Sequence, residues 1–168
     1  MALPHLRGRV LDLGCGLGNL SVEAGRRGCP VVAVDGSGTA IARLCQVAAT
    51  ESLPIQAMQV DLASYRISES FDTIVAIGTL MFFPKARALS MLEDVQAHVK
   101  PGGTAVVNVL IEGTTFLGMF QPGHYYLFEN NELQDRFAGW VILESRHDEF
   151  DAPGPSVKRF STVIARKP

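Results

Sequence analysis

The run Val10-Leu11-Asp12-Leu13-Gly14-Cys15-Gly16-Leu17-Gly18 constrains this chain more than any other stretch. A short apolar strand that opens into glycines and then into a helical pattern brings bare backbone to a strand's C-terminal edge. The following residues keep alternating short β-rich runs with helical spacing, the pattern of an α/β fold with a mainly parallel sheet. Strands are expected at Val10–Leu13, Val31–Val34, Ile55–Val60, Phe71–Ile77 and Thr104–Leu110. Helices are expected at Asn19–Arg27, at Thr39–Thr50 with Thr39 as its cap, and at Lys85–Val99 after Pro84. The Lys100–Gly103 stretch reads as the turn that ends the third helix. Beyond it, Glu112–Tyr126 reads as a long loop and Asn130–Phe137 as a short helix. Val141–Phe150 and Val157–Ala165 are expected to pair as a hairpin, because no crossover helix separates them.

With 168 residues the chain has the size of one domain, expected to span residues 1–168. Fifteen Lys and Arg against seventeen Asp and Glu leave a net charge of −2, which excludes the basic excess of a general nucleic-acid binder. No apolar run reaches the ~20 residues of a membrane span, and MALPHLRGR lacks the apolar core of a signal peptide. Cys15, Cys29 and Cys45 form no CxxC pair, so a reduced, cytoplasmic protein with packing rather than reactive thiols is expected. His5, His98, His124 and His147 show no metal-ligand spacing, so no metal site is expected.

The glycine turn carries chemistry because of its acidic neighbours. A carboxylate at the end of the second strand, Asp35, can accept two hydrogen bonds from a ribose diol. Dinucleotide binders use G-x-G-x-x-G, but here the third position is Asn19 and the glycine falls at Gly18. Asp12, two residues before Gly14, suits a cationic ligand better than a pyrophosphate, which wants unopposed N–H groups. A cationic nucleoside without phosphate fits best, and S-adenosylmethionine (SAM) is such a molecule. Asp61 closes a third strand in the same way.

These residues resemble the class I SAM-dependent methyltransferases: VLDLGCGLG as the first motif, VVAVDGS the second, VDLAS the third, FDTIVAIGTLMFF the fourth and KPGGTAVVNVL the fifth. Within that class LMFF, FENNELQDRFAGW and RFSTVIARK resemble the tellurite-resistance (TehB-like) methyltransferases. The resemblance implies a doubly wound, mostly parallel seven-stranded sheet of order 3-2-1-4-5-7-6 with strand 7 antiparallel. It implies that Gly14, Cys15, Gly16 and Gly18 pack against the methionine and ribose of SAM, with Asp12 near the amino group. Asp35 would hold the ribose hydroxyls, Gly36 and Ser37 would line the ribose and adenine edge, and Asp61 with Leu62 would meet the adenine. Gly78 and Thr79 would face the methionine portion, and Met81, Phe82 and Phe83 would wall the methyl group.

The implied reaction is in-line methyl transfer to a small-molecule acceptor, leaving S-adenosylhomocysteine. Ile77-Gly78-Thr79-Leu80 stands where nucleobase and glutamine methyltransferases carry D/N-P-P-Y/F. A soft chalcogen oxyanion such as tellurite or selenite would need no general base. Arg159 matches a family arginine that could attract such an anion, and His147 lies near a His-Arg pair of the family. His124 sits in the long loop after the fifth strand, either as a solvated residue or at the active site. A homodimer is compatible with the class, and nucleic-acid and membrane partners are not expected. A SAM-binding protein without catalysis remains an alternative; an NAD-dependent oxidoreductase is disfavoured by Asn19 and Asp12. Only Met1–Arg9 precede the first strand, so the N-terminal lid helices of the class are expected to be short or absent. A more open pocket with weaker SAM affinity would follow.

Overall fold

A computed structural model describes residues 2–168. The strands are β1 (Val10–Leu13), β2 (Val31–Asp35), β3 (Ile55–Gln59), β4 (Phe71–Ile77), β5 (Val99–Leu110), β6 (Val141–Ala152) and β7 (Ser156–Arg166). The helices are α1 (Asn19–Arg26), α2 (Gly38–Thr50), α3 (Lys85–His98) and α4 (Glu132–Arg136), with short 3-10 turns at Leu3–His5 and Leu80–Phe82. All seven strands form one sheet of order β3-β2-β1-β4-β5-β7-β6. β1 to β5 run parallel to one another, and β7 is antiparallel to both β5 and β6. This is the expected doubly wound topology, closed by the hairpin.

Burial explains why the central strands read as continuous apolar runs. Leu11, Leu13, Ile74, Ala76, Val107 and Val109 point to the face covered by α3 and α4, where they meet Met91, Leu92, Leu133 and Phe137. Val10, Val31, Ala33, Val75 and Val106 point to the opposite face, against Ala24 of α1 and Leu44 of α2.

Three local expectations are corrected. The cap of α2 is Ser37, whose hydroxyl accepts from the Ala40 N–H at 3.3 Å, so Thr39 lies inside the helix. Strand β5 begins at Val99, and Lys100–Gly103 belongs to it; the register against β4 shifts between Phe71 and Thr73 to absorb the Pro-Gly-Gly run. The Asn130–Phe137 helix is reduced to Glu132–Arg136.

Phe128 fixes the far end of the long loop. Its N–H donates to the Leu110 carbonyl at 3.1 Å, its carbonyl accepts from the Glu112 N–H at 2.9 Å, and its ring is fully buried. Replacing it by alanine removes a buried ring with no compensating collapse. Phe128→Ala is expected to cost about 3–5 kcal/mol in urea denaturation.

Candidate functional site

The C-terminal ends of β1, β2 and β4 converge on one cleft, as open parallel sheets require at the point where strand order reverses. Two adjoining cavities make it up. One, of about 350 Å3, is lined by Gly14, Gly16, Asp35, Gly36, Leu62, Gly78, Thr79, Phe82 and Phe83. The other, of about 530 Å3, is lined by Gly36, Gln59, Val60, Asp61, Leu62, Ala63 and Phe83. Gly36, Leu62 and Phe83 belong to both, so the two form a continuous slot. Gly16 and Gly78 have positive φ, and a Cβ built on either would meet no atom within 4 Å. Their backbone therefore faces open space in a conformation that suits glycine.

Asp35 organises the turn. One carboxylate oxygen accepts from the Gly16 N–H at 2.8 Å and the other from the Ser37 N–H at 2.8 Å. Each oxygen keeps a further lone pair for a ligand hydroxyl. Thr79 closes the turn from β4: its hydroxyl donates to the Leu13 carbonyl at 3.1 Å, and its side chain fills the space a Cβ on Gly14 would need. Gly14 also holds φ +73°, so both sterics and backbone exclude larger residues there.

Asp12 and Cys15 lie beneath or beside this surface. Asp12 is buried and accepts from the Ser21 hydroxyl of α1 at 2.6 Å. Burial pushes its carboxyl up to about 6, against the Ser21 bond, and the negative charge of Asp35 adds to the rise. Burial likewise pushes the half-buried Cys15 thiol up to about 12, which makes it a packing group rather than a nucleophile. Gly18 begins α1 at φ +76°, and its missing Cβ makes room for Leu44. Ser37 is spent on capping α2.

Asp61 turns the chain after β3. Its carboxylate accepts from the Ala63 N–H at 3.0 Å and the Ser64 hydroxyl at 2.7 Å, and these bonds hold its carboxyl below the usual range. Arg87 of α3, which no motif in the sequence marks, secures the same loop. Its Nη2 donates to the Leu62 carbonyl at 2.6 Å and to the Tyr65 carbonyl at 2.7 Å. Only its distance from a loop 25 positions earlier conceals this role from a linear reading.

The three expected catalytic side chains do not line either cavity of the cleft. Arg159, on β7, donates to the Glu112 carbonyl at 3.0 Å and pairs with Glu149 at 3.4 Å, so it anchors the root of the long loop. His147 is exposed on β6 opposite Ser161. His124 is exposed in the loop, where its N–H bonds the Gln121 carbonyl at 3.0 Å. The loop itself does reach the cleft wall: Phe120 packs on Phe82 at 5.1 Å, and the Tyr126 N–H donates to the Met81 carbonyl at 3.0 Å. Among the described residues no three His, Cys, Asp or Glu side chains are grouped to hold a metal ion, and no helix is long and apolar enough to cross a membrane.

Comparison with known proteins matches this chain to a family. A family model described as "Tellurite resistance protein TehB" matches residues 5–155. "Hemagglutinin 1" of Eikenella corrodens is 30% identical over 169 residues, covering 95% of this chain and 55% of that protein. The "Probable S-adenosyl-L-methionine-dependent methyltransferase TehB" of Haemophilus influenzae (strain 10810) is 30% identical over 166 residues, covering 95% of this chain and 57% of that protein. The chain thus spans little more than half the length of these curated relatives. The crystal structure of TehB from Haemophilus influenzae superposes with a TM-score of 0.83 at 26% identity, over 95% of this chain and 57% of that one.

The buried Asp12 sets a pH dependence of stability. Its carboxyl is raised from 3.8 to about 6, so between these values the folded state holds the proton that the unfolded state has released. Stability therefore falls as pH rises through this window, by about 3 kcal/mol in total for a fully buried group. Asp12→Asn keeps an acceptor for Ser21 without the buried charge. Urea titrations from pH 4 to pH 7 are expected to show a flatter profile for the variant, with greater stability than the parent at neutral pH.

Proposed function

The chain belongs to the tellurite resistance protein TehB family, and from that membership and the geometry of the cleft we propose that it is a SAM-dependent methyltransferase acting on a small-molecule acceptor. The observation that carries the reading is the charge of the slot. Its lining offers glycine backbone, apolar walls and the carboxylates of Asp35 and Asp61, with Asp12 buried behind, and no cationic side chain. A pyrophosphate would be repelled there, whereas a nucleoside carrying a sulfonium and an ammonium is attracted. The open faces of Gly16 and Gly78 let such a ligand approach backbone closely.

In this assignment Asp35 holds the ribose hydroxyls with its remaining lone pairs. Gly36 and Leu62 flank the adenine, whose amine Asp61 faces. Gly14, Gly16, Gly78 and Thr79 border the methionine portion, and Asp12 supplies a buried negative charge near its amino group. SAM supplies an activated methyl group on sulfur. The protein's contribution is alignment, which is enough to account for several kcal/mol of barrier reduction. Phe82 and Phe83 supply an apolar wall at the reacting end.

The finer reading of the acceptor is a chalcogen oxyanion such as tellurite or selenite, as the family name suggests. It requires no general base, which accords with a cleft whose lining holds no histidine. Its positive counter-charge would come from the donor, since Arg159 is engaged elsewhere.

Calorimetry is expected to show SAM binding and no NADH binding, with Asp35→Ala weakening SAM at least about tenfold. NADH binding in preference to SAM would overturn the assignment. Methylated product from selenite or tellurite above a SAM-free blank supports the oxyanion reading. SAM binding without turnover on any acceptor would leave a sensor in place of an enzyme.

Arg87 offers a second test, because it secures the adenine loop without entering the cavity. Arg87→Met is expected to weaken S-adenosylhomocysteine more than its inosine analogue, which lacks the amine. Equal losses for both would mean that Arg87 merely stabilises the fold.

A further inference from the structure

Behind the end of β4 lies a cavity that the methyl-donor site does not use. It measures about 210 Å3 and is lined by Ile77, Asn108, Arg146, Asp148, Phe150 and Phe160. Ile77 lines this cavity while the next residue, Gly78, lines the donor slot. The Gly78 N–H donates to the Asn108 carbonyl at 3.0 Å, which locks the last residues of β4 against β5. The two spaces therefore flank the same strand end.

The chemistry of the lining differs from that of an oxyanion site. Phe150 and Phe160 meet edge to face at 5.9 Å and, with Ile77, supply apolar walls. Phe150 is 56% exposed, an unusual placement for an aromatic ring with no partner beyond its hairpin neighbour. The one cation, Arg146, lies 2.9 Å from Asp148 and 3.4 Å from Glu144, so its charge is already compensated. A small, strongly hydrated oxyanion gains nothing here. The uncharged polar group is the Asn108 amide, oriented by donating to the Thr162 hydroxyl at 2.9 Å. The volume lies below the ~300–1,000 Å3 of sites for drug-sized ligands, which suits a molecule of about one substituted ring.

Resting on the methyltransferase reading, we propose that this cavity is a binding site for a second class of acceptor, a small apolar thiol. Asp148 is engaged by Arg146, so no free base lines the cavity, and the acceptor must ionise unaided. Among neutral apolar nucleophiles a thiol does so nearest to neutral pH. The thiol gives its proton to water. The thiolate sulfur then forms a bond to the methyl carbon as the bond from that carbon to the donor sulfonium breaks. The bonding pair stays on the donor sulfur, giving a methyl thioether and S-adenosylhomocysteine.

The test supplies the full chain and SAM with thiophenol, with 2-mercaptoethanol, with phenol and with selenite, and follows S-adenosylhomocysteine and methylated product by mass spectrometry. Thiophenol is expected to be turned over with kcat/KM at least about tenfold above that of 2-mercaptoethanol, and phenol not at all. Phe150→Ala, which alters an exposed ring and leaves the core intact, is expected to raise KM for thiophenol about tenfold. Its KM for SAM should stay unchanged, and Phe150→Leu should restore part of the loss. Phe160→Ala should act in the same direction.

Selenite turnover without thiophenol turnover would overturn the thiol assignment and leave the methyltransferase reading standing. Thiophenol turnover indifferent to both phenylalanine variants would overturn the cavity. Absence of SAM binding would remove both readings together. If sedimentation shows a dimer that Phe150→Ala dissociates, the aromatic patch is an interface between copies and the acceptor site is overturned.

Discussion

The carboxylate of Asp35 is the constraint on which the rest of the cleft depends. It grips the Gly16 N–H with one oxygen and the Ser37 N–H with the other, tying the glycine turn after β1 to the start of α2. Both contacts are made within the protein itself, so the turn holds its left-handed glycines before any ligand arrives. Thr79 completes the arrangement from the third strand end by bonding the Leu13 carbonyl beneath the turn. A site assembled from three strand ends and two side-chain clamps has little left to order on binding, which is where much of the cost of association ordinarily lies. The buried Asp12 works against the stability of this arrangement: its charge is costly where it sits, a strain of the kind usually kept for function.

The central architecture was legible because it is written in runs. Buried parallel strands must be apolar on both faces, so Val31–Val34 and Phe71–Ile77 announce themselves, and glycines between strand and helix mark the site. Asp35 could be singled out because its role depends on being the last residue of a recognisable strand. What could not be read were relations between distant segments. Ser21 is an ordinary helix residue until α1 folds over Asp12, and Arg87 until α3 brings it under the Leu62 loop. Ser37 and Thr39 offer the same hydroxyl two residues apart, and only the backbone path out of Asp35 decides that Ser37 is the cap.

Strand parity explains the fate of Arg159. In an extended strand adjacent side chains leave opposite faces, so Arg159 and Phe160 cannot both meet the same cavity. The register of β7 against β5 places Phe160 opposite Leu110, and Phe160 lines the cavity behind β4. Arg159 faces the other way, to Glu112 and Glu149, where it anchors the loop that carries Phe120 toward the cleft. A motif match assigns a residue type to a position. It does not assign a face, and here the face decides the role.

Charge placement then separates two kinds of work along the same sheet edge. The glycine-lined slot concentrates carboxylates without a cationic partner in its lining, whereas the cavity beside it brackets the single arginine of its lining, Arg146, with two acids. The first arrangement would favour a cationic ligand by long-range attraction. The second removes charge as a criterion and leaves shape and apolar contact to discriminate. Displacement at a sulfonium needs the nucleophile in line behind the methyl carbon more than it needs a base, and it neutralises charge as it proceeds. A neutralised, aromatic-walled cavity next to an acidic slot fits the proposed reaction on both counts: the acidic side would hold a positive donor, and the apolar side would leave a soft nucleophile poorly solvated and free to attack.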